Sequence, residues 1–247
     1  MARSGSTRAV EDYLKVIFNL GEWEVGDRSN ADLAARLGVS TSSASEMVRK
    51  LTEAGLVDHE PYGDIELTAQ GRRRAVEMVR RHRLIETYLV EALGYSWDEV
   101  HSEAEVLEHA VSPLMVDRMD AVLGRPWRDP HGDPIPTADG TVHQPVARLL
   151  FHLQPGELGY VARIGDEDPR LLRWFTDRGI RLDQRVVVKE HRPFGGPLVA
   201  EFTIEGQPVA VESGLQAAAA LWVAEERPSA VSGDGRDCPY PRCRHLS

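Results

Sequence analysis

The chain has 247 residues, of which 42% are hydrophobic and 28% charged, values typical of a globular protein. They exclude collagen-like, coiled-coil and wholly disordered classes, and no apolar run reaches the roughly 20 residues that cross a bilayer. The net charge of −10 argues against a nucleic-acid partner, but residues 1–83 hold 13 basic and 13 acidic side chains, so the remainder carries the whole excess. With two cysteines and no apolar stretch after the first charges, we expect a cytoplasmic protein without a signal peptide.

The amino-terminal third has the pattern of a DNA-binding domain. Apolar residues between 9 and 23 recur at spacings of three and four, which predicts an amphipathic helix. Ser29 is placed to cap a second helix, and Gly38 to end it before a third helix at about 41–54. The alternating stretch 57–67 predicts a hairpin. This order is typical of a winged helix-turn-helix, whose second motif helix enters the major groove of DNA.

Hydroxyl groups are concentrated at the start of that third helix, where they and the free amides can bind phosphate. We predict that Val39, Ala44, Val48 and Leu51 fill the core beneath it and that Glu46 is exposed where a base could be touched. The alternative is a serine-rich cap on an ordinary helical hairpin, which the following wing disfavours. The predicted DNA-binding residues are Ser40, Thr41, Ser42, Ser43, Ser45, Arg49 and Lys50.

The rest of the chain divides into a helical and a β-rich part. Helical periodicity covers 68–93 and one or two helices within 97–123. Proline and glycine crowd 126–140, which predicts a loop or linker and a domain boundary. Short β-like runs follow from 159 to 211 and predict a small β-barrel, whereas the last twenty or so residues look poorly ordered.

Histidine and carboxylate side chains recur at helical spacing in the middle of the chain. His82 and Glu86 are four apart, and a later segment places four such residues at offsets of zero, four, seven and eight, on one helical face. The four are His101, Glu105, Glu108 and His109. Facing helices with imidazole and carboxylate groups are a usual way to build a metal site in a bundle. The alternative is that these residues are surface charges on amphipathic helices. Two such segments after a helix-turn-helix favour a metal-binding site instead.

Three motifs carry a family resemblance: Glu11-Asp12-Tyr13-Leu14, Arg81-His82-Arg83-Leu84, and the segment 101–109. With the winged helix, they resemble the diphtheria-toxin-repressor family of metal-dependent transcriptional regulators over about residues 8–137. More loosely, 175–188 is similar to the SH3-like barrel of the longer members. The resemblance implies a homodimer, joined through its middle helices, that binds palindromic operator DNA.

The implied fold is mainly α with a small β domain. Its expected parts are a winged helix-turn-helix DNA-binding domain (1–74), a helical metal-binding and dimerisation domain (75–142), an SH3-like, FeoA-like domain (143–226) and a disordered tail (227–247).

The resemblance also implies two sets of metal ligands. The primary set is Asp12, Glu105, Glu108 and His109, and the ancillary set is His82, Glu86 and His101. The barrel could add one ligand from residues 166–168, and the sequence does not indicate which of the three. Some short manganese-responsive members carry a carboxylate where this chain has Lys15, so we expect two separated sites rather than a close binuclear one.

The ligand types indicate which metal is sensed. Iron-responsive members place a Met and a Cys where this chain has Asp12 and Glu105, and hard oxygen ligands with imidazole suit Mn²⁺. We therefore predict a manganese sensor, with Fe²⁺, Co²⁺ or Zn²⁺ as substitutes, that represses metal-uptake genes.

Three other functions are alternatives. One is an iron-dependent repressor of the same family, and another is a winged-helix regulator that senses an organic ligand. A metal hydrolase is disfavoured because the sequence has no His-Glu-x-x-His, Gly-x-Ser-x-Gly or phosphate-cradling glycine loop, so we predict that the protein is not an enzyme. Cys238, Cys243 and His245 suggest a zinc knuckle only weakly, and we expect free thiols.

Overall fold

The computed structural model describes residues 5–23, 28–60, 63–229, 240 and 242–246. These residues form two compact units. The first comprises Met1–His82 with Val106–Val111, and the second Arg83–Glu105 with Ser112–Ser247. Among the described residues, no helix combines the length and apolar character that a membrane span requires.

The first unit contains the predicted winged helix-turn-helix, which is confirmed. Its elements are α1 (Gly5–Glu22), α2 (Asn30–Leu37), α3 (Thr41–Glu53), and the antiparallel hairpin of β1 (Val57–His59) and β2 (Ile65–Leu67). The Ser29 hydroxyl accepts a hydrogen bond from the Asp32 amide at 3.2 Å and caps α2. Gly38 ends α2 with a φ of 64°, a left-handed conformation that glycine adopts without strain.

The core of the winged helix joins its first helix to the motif. α1 contacts both α2 and β2, and α2 contacts α3. The fully buried side chains include Leu14, Ile17, Leu33, Leu51 and Ile65. Ala44 and Val48 are buried as predicted, but Val39 is 40% exposed. That prediction was wrong because Val39 lies between the left-handed turn and the α3 cap, outside both helices.

The next helix is α4 (Ala69–Leu93), and its first turn packs against the turn that precedes the wing. The Thr68 hydroxyl accepts the Gly71 amide hydrogen at 3.1 Å, and the Thr68 amide donates to the Leu56 carbonyl oxygen at 3.1 Å. A Cβ atom on Gly71 would lie 1.9 Å from that oxygen, so only glycine permits this approach. The start of α4 is thereby fixed to the winged helix.

The second unit combines helices with a small antiparallel sheet, as predicted. Helix α5 (Val100–Leu107) passes from the second unit to the first, and α6 (Pro113–Val122) follows. The other elements are β3 (Val142–Pro145), β4 (Ala147–Leu149), β5 (Leu158–Ile164), α7 (Pro169–Asp177), β6 (Arg185–His191), β7 (Leu198–Ile204), β8 (Gln207–Ser213), α8 (Leu215–Ala218), β9 (Leu221–Ala224) and β10 (Cys243–Leu246). Six strands form one sheet in the order β4-β9-β5-β6-β7-β8 around a core that includes Phe175 and Phe202.

The proline- and glycine-rich stretch is a loop, as predicted, but it is a buried one, because Asp129, His131 and Asp133 are each less than 5% exposed. The predictions about the carboxyl-terminal tail need correction. The expected disordered tail contains β10, which pairs antiparallel with β3. Cys243 is disulfide-bonded rather than free, and Cys238 lies outside the described residues.

Candidate metal centres and nucleic-acid interface

A cluster of imidazole and carboxylate groups lies within the first unit, and we call it the first centre. Asp12 of α1 meets His109, just after α5, with 2.7 Å between Oδ1 and Nε2. Glu108 Oε2 lies 2.6 Å from Nδ1 of His82 on α4. Asp12, Glu108 and His109 each offer a ligand atom, and these atoms lie within 4.8 Å of one another. Three separate elements therefore converge on one point.

Neighbouring groups orient the side chains of the first centre. Glu11 lies 3.2 Å from Nδ1 of His109, which leaves Nε2 directed at Asp12. Orientation of a ligand imidazole through its other nitrogen is usual in metal sites. Arg81 donates to the main-chain oxygen of Glu108 at 3.0 Å, and Lys15 Nζ lies 2.7 Å from Glu108 Oε1.

The two carboxyl groups of the first centre differ electrostatically. Burial raises the pKa of Asp12, and the neighbouring His109 and Lys15 offset only part of that effect. Burial also acts to raise the pKa of Glu108, but the hydrogen bond and charge of His82, together with the charge of Lys15, outweigh it and lower that pKa. Glu108 is thus held as a carboxylate, the form that ligates metal.

A second cluster lies entirely within the second unit, and we call it the second centre. Glu86, His131 and Asp166 offer ligand atoms within 4.8 Å of one another. His101 Nδ1 lies 3.2 Å from Glu86 Oε1 and 3.3 Å from Asp166 Oδ2. Asp166 is therefore the residue of 166–168 that reaches the helical ligands.

The loop that carries His131 is built to hold that imidazole in place. Asp129 Oδ1 accepts the His131 and Asp133 amide hydrogens at 2.8 and 2.9 Å. The His131 carbonyl oxygen accepts the Ile164 amide hydrogen at 2.8 Å, and a Cβ on Gly132 would lie 2.2 Å from a carbonyl oxygen of β5. The loop thus lies flat against the sheet.

One atom of the second centre suits a metal ion in particular. His131 Nε2 lies 2.8 Å from the Trp97 carbonyl oxygen, to which only a protonated nitrogen can donate. Its Nδ1 is buried without a hydrogen-bond partner. Because a buried polar atom without a partner is costly, this nitrogen fits the role of a metal ligand.

The charges of the second centre are strongly interdependent. Burial acts to lower the pKa of His101, but Asp166 and Glu86 outweigh it and raise that pKa to about 11. Burial acts to raise the pKa of Asp166, which His101, His131 and Arg163 hold well below its ordinary range. Burial and the adjacent Asp133 raise the pKa of Asp129 to about 7.

The predicted ligands divide between the two units. Asp12, Glu108 and His109 come together as the sequence predicted, and His82 joins them through Glu108. Glu86 and His101 are in contact in the second unit, so the grouping of His82 with them stays a prediction. Glu105 also belongs to the second unit, where its carboxylate lies 3.6 Å from His101 Nε2, and its primary role stays a prediction.

His131 was not among the ligands predicted from the sequence. A usable signal was present in Asp129-Pro-His-Gly-Asp133, because a histidine between two aspartates is unusual in a plain linker.

The predicted DNA-binding residues share an exposed surface of the first unit. All seven are exposed, from the start of α3 to its last turn. The Ser40 hydroxyl accepts the Ser43 amide hydrogen at 3.1 Å, so Ser40 also caps the helix. Glu46 lies 2.9 Å from Arg49 and 3.3 Å from Lys50. The basic groups of α3 are thus paired with a carboxylate on the same face.

Comparison with known proteins gives consistent similarities over most of the described chain. Residues 6–65 match the iron-dependent repressor N-terminal DNA-binding domain, and residues 68–137 match the metal-binding and dimerisation domain of the same repressors. Residues 148–223 match the FeoA domain.

Individual relatives include both manganese and iron regulators. A solved manganese-dependent transcriptional repressor in complex with manganese is 53% identical, with a TM-score of 0.83, over 88% of this chain and 100% of that one. The transcriptional regulator MntR of Escherichia coli O6:H1 is 37% identical over 108 residues, 44% of this chain and 68% of MntR. The iron-dependent repressor IdeR of Mycobacterium leprae is 38% identical over 126 residues, 51% of this chain and 54% of IdeR. The chain therefore spans about half the length of the mycobacterial relatives that it matches.

Proposed function

Because the chain belongs to the iron-dependent repressor family, we propose that it is a manganese-dependent transcriptional repressor that binds operator DNA as a homodimer. The observation that carries this proposal is the first centre. Asp12 comes from α1, Glu108 and His109 come from the turn that follows α5, and the three meet inside the unit that contains the winged helix. A metal-ligand set and a DNA-reading element therefore share one compact body.

The donor atoms of the first centre favour manganese over softer ions. Asp12 and Glu108 offer carboxylate oxygens and His109 an imidazole nitrogen, and the set contains no sulfur. Carboxylate oxygen with imidazole is a combination that accepts Mn²⁺. Glu105 completes this set in our proposal, as the residue in place of the thiolate of iron-responsive members.

The second centre is proposed as a separate site of the same kind. Glu86, His131 and Asp166 form its core, and His101 lies beside two of them. The unpartnered Nδ1 of His131 and the low pKa of Asp166 both prepare donors for a cation. Since Asp166 follows β5, this site ties the small sheet to the parts of α4 and α5 that belong to the same unit.

The structure of the first unit suggests how metal controls DNA binding. A bound divalent cation supplies positive charge that offsets the carboxylates of the first centre. Asp12 thereby holds α1 against the turn that follows α5, and α1 contacts α2 and β2 of the winged helix. The position of α1 thus fixes the surface from Ser40 to Lys50. This control requires only that the DNA-binding conformation bind the metal more tightly than the other conformation does.

The partners follow from the same proposal. Two copies joined through the helical domain would present two α3 helices, so the operator is expected to be palindromic, with half-sites about one helical turn apart. Metal-uptake genes are the proposed targets, and such a repressor works in the cytoplasm, beside the chromosome. Nothing in this proposal requires catalysis.

The test is an equilibrium DNA-binding titration with the full chain on a palindromic operator from its own genome. It is run with chelator, Mn²⁺, anoxic Fe²⁺ and Zn²⁺ in separate arms. Binding that requires metal and needs the least Mn²⁺ supports the proposal, whereas a preference for Fe²⁺ supports an iron-dependent repressor. Full-strength binding in chelator contradicts metal control and points to an organic effector.

A further inference from the structure

Lys15 is a buried cation within the first centre. Its residue is 6% exposed, and Nζ lies 2.7 Å from Glu108 Oε1, in an ion pair whose side chains are 7% and 1% exposed. Lysine is rarely buried unless it is paired, because removing an ammonium group from water is costly. One helical turn separates Lys15 from Asp12 on α1.

The oxygen that Lys15 contacts also faces the proposed metal ligands. His109 Nε2 lies 3.5 Å from the same Oε1 of Glu108 and 2.7 Å from Asp12 Oδ1. The other oxygen of Glu108 is already engaged by His82 at 2.6 Å. A metal cation held by Glu108 and His109 would therefore either share the Glu108 Oε1 atom with the Lys15 ammonium group or displace the ammonium group from that atom.

We propose that Lys15 is a built-in competitor of the metal ion and sets the metal concentration at which the first centre fills. This inference rests on the proposed function. In the metal-free protein, the ammonium group balances the buried Glu108 carboxylate. When metal binds, the ammonium group either leaves Glu108 or stays beside a divalent cation, and both outcomes oppose metal binding.

Two effects of opposite sign follow for a neutral residue at position 15. Without the ammonium group, the buried Glu108 carboxylate of the metal-free protein loses a charge partner, so the thermal midpoint in chelator falls. The metal no longer competes with a neighbouring positive charge, so the affinity for Mn²⁺ rises, by about tenfold or more. A residue that only supported the ligands would instead weaken metal binding when removed.

The experiment measures Mn²⁺ binding to the full chain without DNA, by EPR detection of free Mn²⁺. The binding step that Asp12→Asn abolishes is assigned to the first centre. Lys15→Met and Lys15→Gln remove the charge, and Lys15→Arg retains it. Lys189→Met is the matched control, because Lys189 forms an ion pair with Glu201 at 3.0 Å while 46% exposed.

The expected result is a lower dissociation constant for that step in both neutral variants and no change in Lys189→Met. Lys15→Arg should bind Mn²⁺ about as the wild type does. If Lys15→Met is unfolded in chelator, Lys15→Gln, which can still donate to Glu108, gives the deciding value. Unchanged or weaker Mn²⁺ binding in the neutral variants overturns the inference. A wild-type chain without an Asp12-dependent step contradicts the proposed function itself.

Discussion

Asp12 Oδ1 lies 2.7 Å from His109 Nε2, a contact that joins α1 to the turn that follows α5 across 97 positions of sequence. Both residues belong to the unit that contains the winged helix. The proposed DNA-binding surface and the candidate ligands are therefore linked through α1.

Removal of the Asp12 carboxylate should uncouple DNA binding from metal. At a Mn²⁺ concentration that saturates the wild type, the affinity of Asp12→Asn for operator DNA is expected to be about 100-fold lower than that of the wild type. This factor is near the upper end of the changes that one ligand typically causes in the affinity for another. Binding in chelator should not change. Glu205→Gln, in the exposed β7–β8 turn, is the control. An Asp12→Asn protein with full Mn²⁺-dependent binding would remove Asp12 from the site.

Exchange of two ligands should change which metal is sensed. Asp12→Met with Glu105→Cys replaces two hard oxygen donors with sulfur donors, which favour softer ions. We expect the ratio of the Fe²⁺ to the Mn²⁺ concentration required for DNA binding to fall by about tenfold or more. Each single variant is measured beside the double one. Unchanged selectivity would contradict the assignment, and in particular the proposed role of Glu105.

The second centre should account for one Mn²⁺ ion per chain. Asp166→Asn keeps the shape of the side chain but removes a carboxylate 3.3 Å from His101. Equilibrium dialysis is expected to show two bound Mn²⁺ ions per wild-type chain and one per variant chain. The neighbouring exposed Glu167→Gln should still bind two. If Asp166→Asn also binds two, Asp166 is not a ligand.

The stability of the metal-free protein, measured in chelator, should fall as pH rises. The folded-state pKa values of Asp129, about 7, and His101, about 11, both exceed their ordinary values of 3.8 and 6.5. The folded state thus holds protons that the unfolded chain releases. The stability that this proton binding contributes is fully present at a pH below the ordinary pKa values, and it is lost as the pH rises through the folded-state pKa values. The His101 contribution is reduced by solvent, because its side chain is 44% exposed.

Thermal unfolding in chelator between about pH 7 and about pH 10 measures the His101 part of this loss. His101→Gln is expected to flatten the fall, whereas the exposed His152→Gln should keep the wild-type slope. An identical slope in His101→Gln and the wild type would show that the ion pairs of His101 do not hold a proton in this range.

The serines of α3 should separate into structural and DNA-contacting groups. Ser40→Ala removes the helix cap and is expected to lower the free energy of unfolding by about 1 kcal/mol. Ser45→Ala removes only an exposed hydroxyl, so it should weaken DNA binding without lowering stability. Chemical denaturation and DNA titration of both variants distinguish the two roles. Equal losses of stability would contradict the cap assignment.

The fold could be predicted from sequence because its signals are local: Ser29 and Gly38, for example, mark the boundaries of α2. The meeting of Asp12 with Glu108 and His109 has no local signal, because 97 positions separate Asp12 from His109, and it was predicted from the family resemblance. The second centre could be predicted only in part. His131 lies in a loop whose place depends on Asp129 and on the close approach of Gly132 to β5, neither of which has a periodic signal. Tertiary contacts of this kind made a proline-rich segment a buried one.

The measurement that tests the central claim most directly is the affinity of the full chain for Mn²⁺ with and without operator DNA. Metal-controlled DNA binding requires that DNA strengthen Mn²⁺ binding by the same factor by which Mn²⁺ strengthens DNA binding. We predict equal factors in the wild type and the loss of both in Asp12→Asn. A Mn²⁺ affinity that is unchanged by saturating operator DNA would contradict the account.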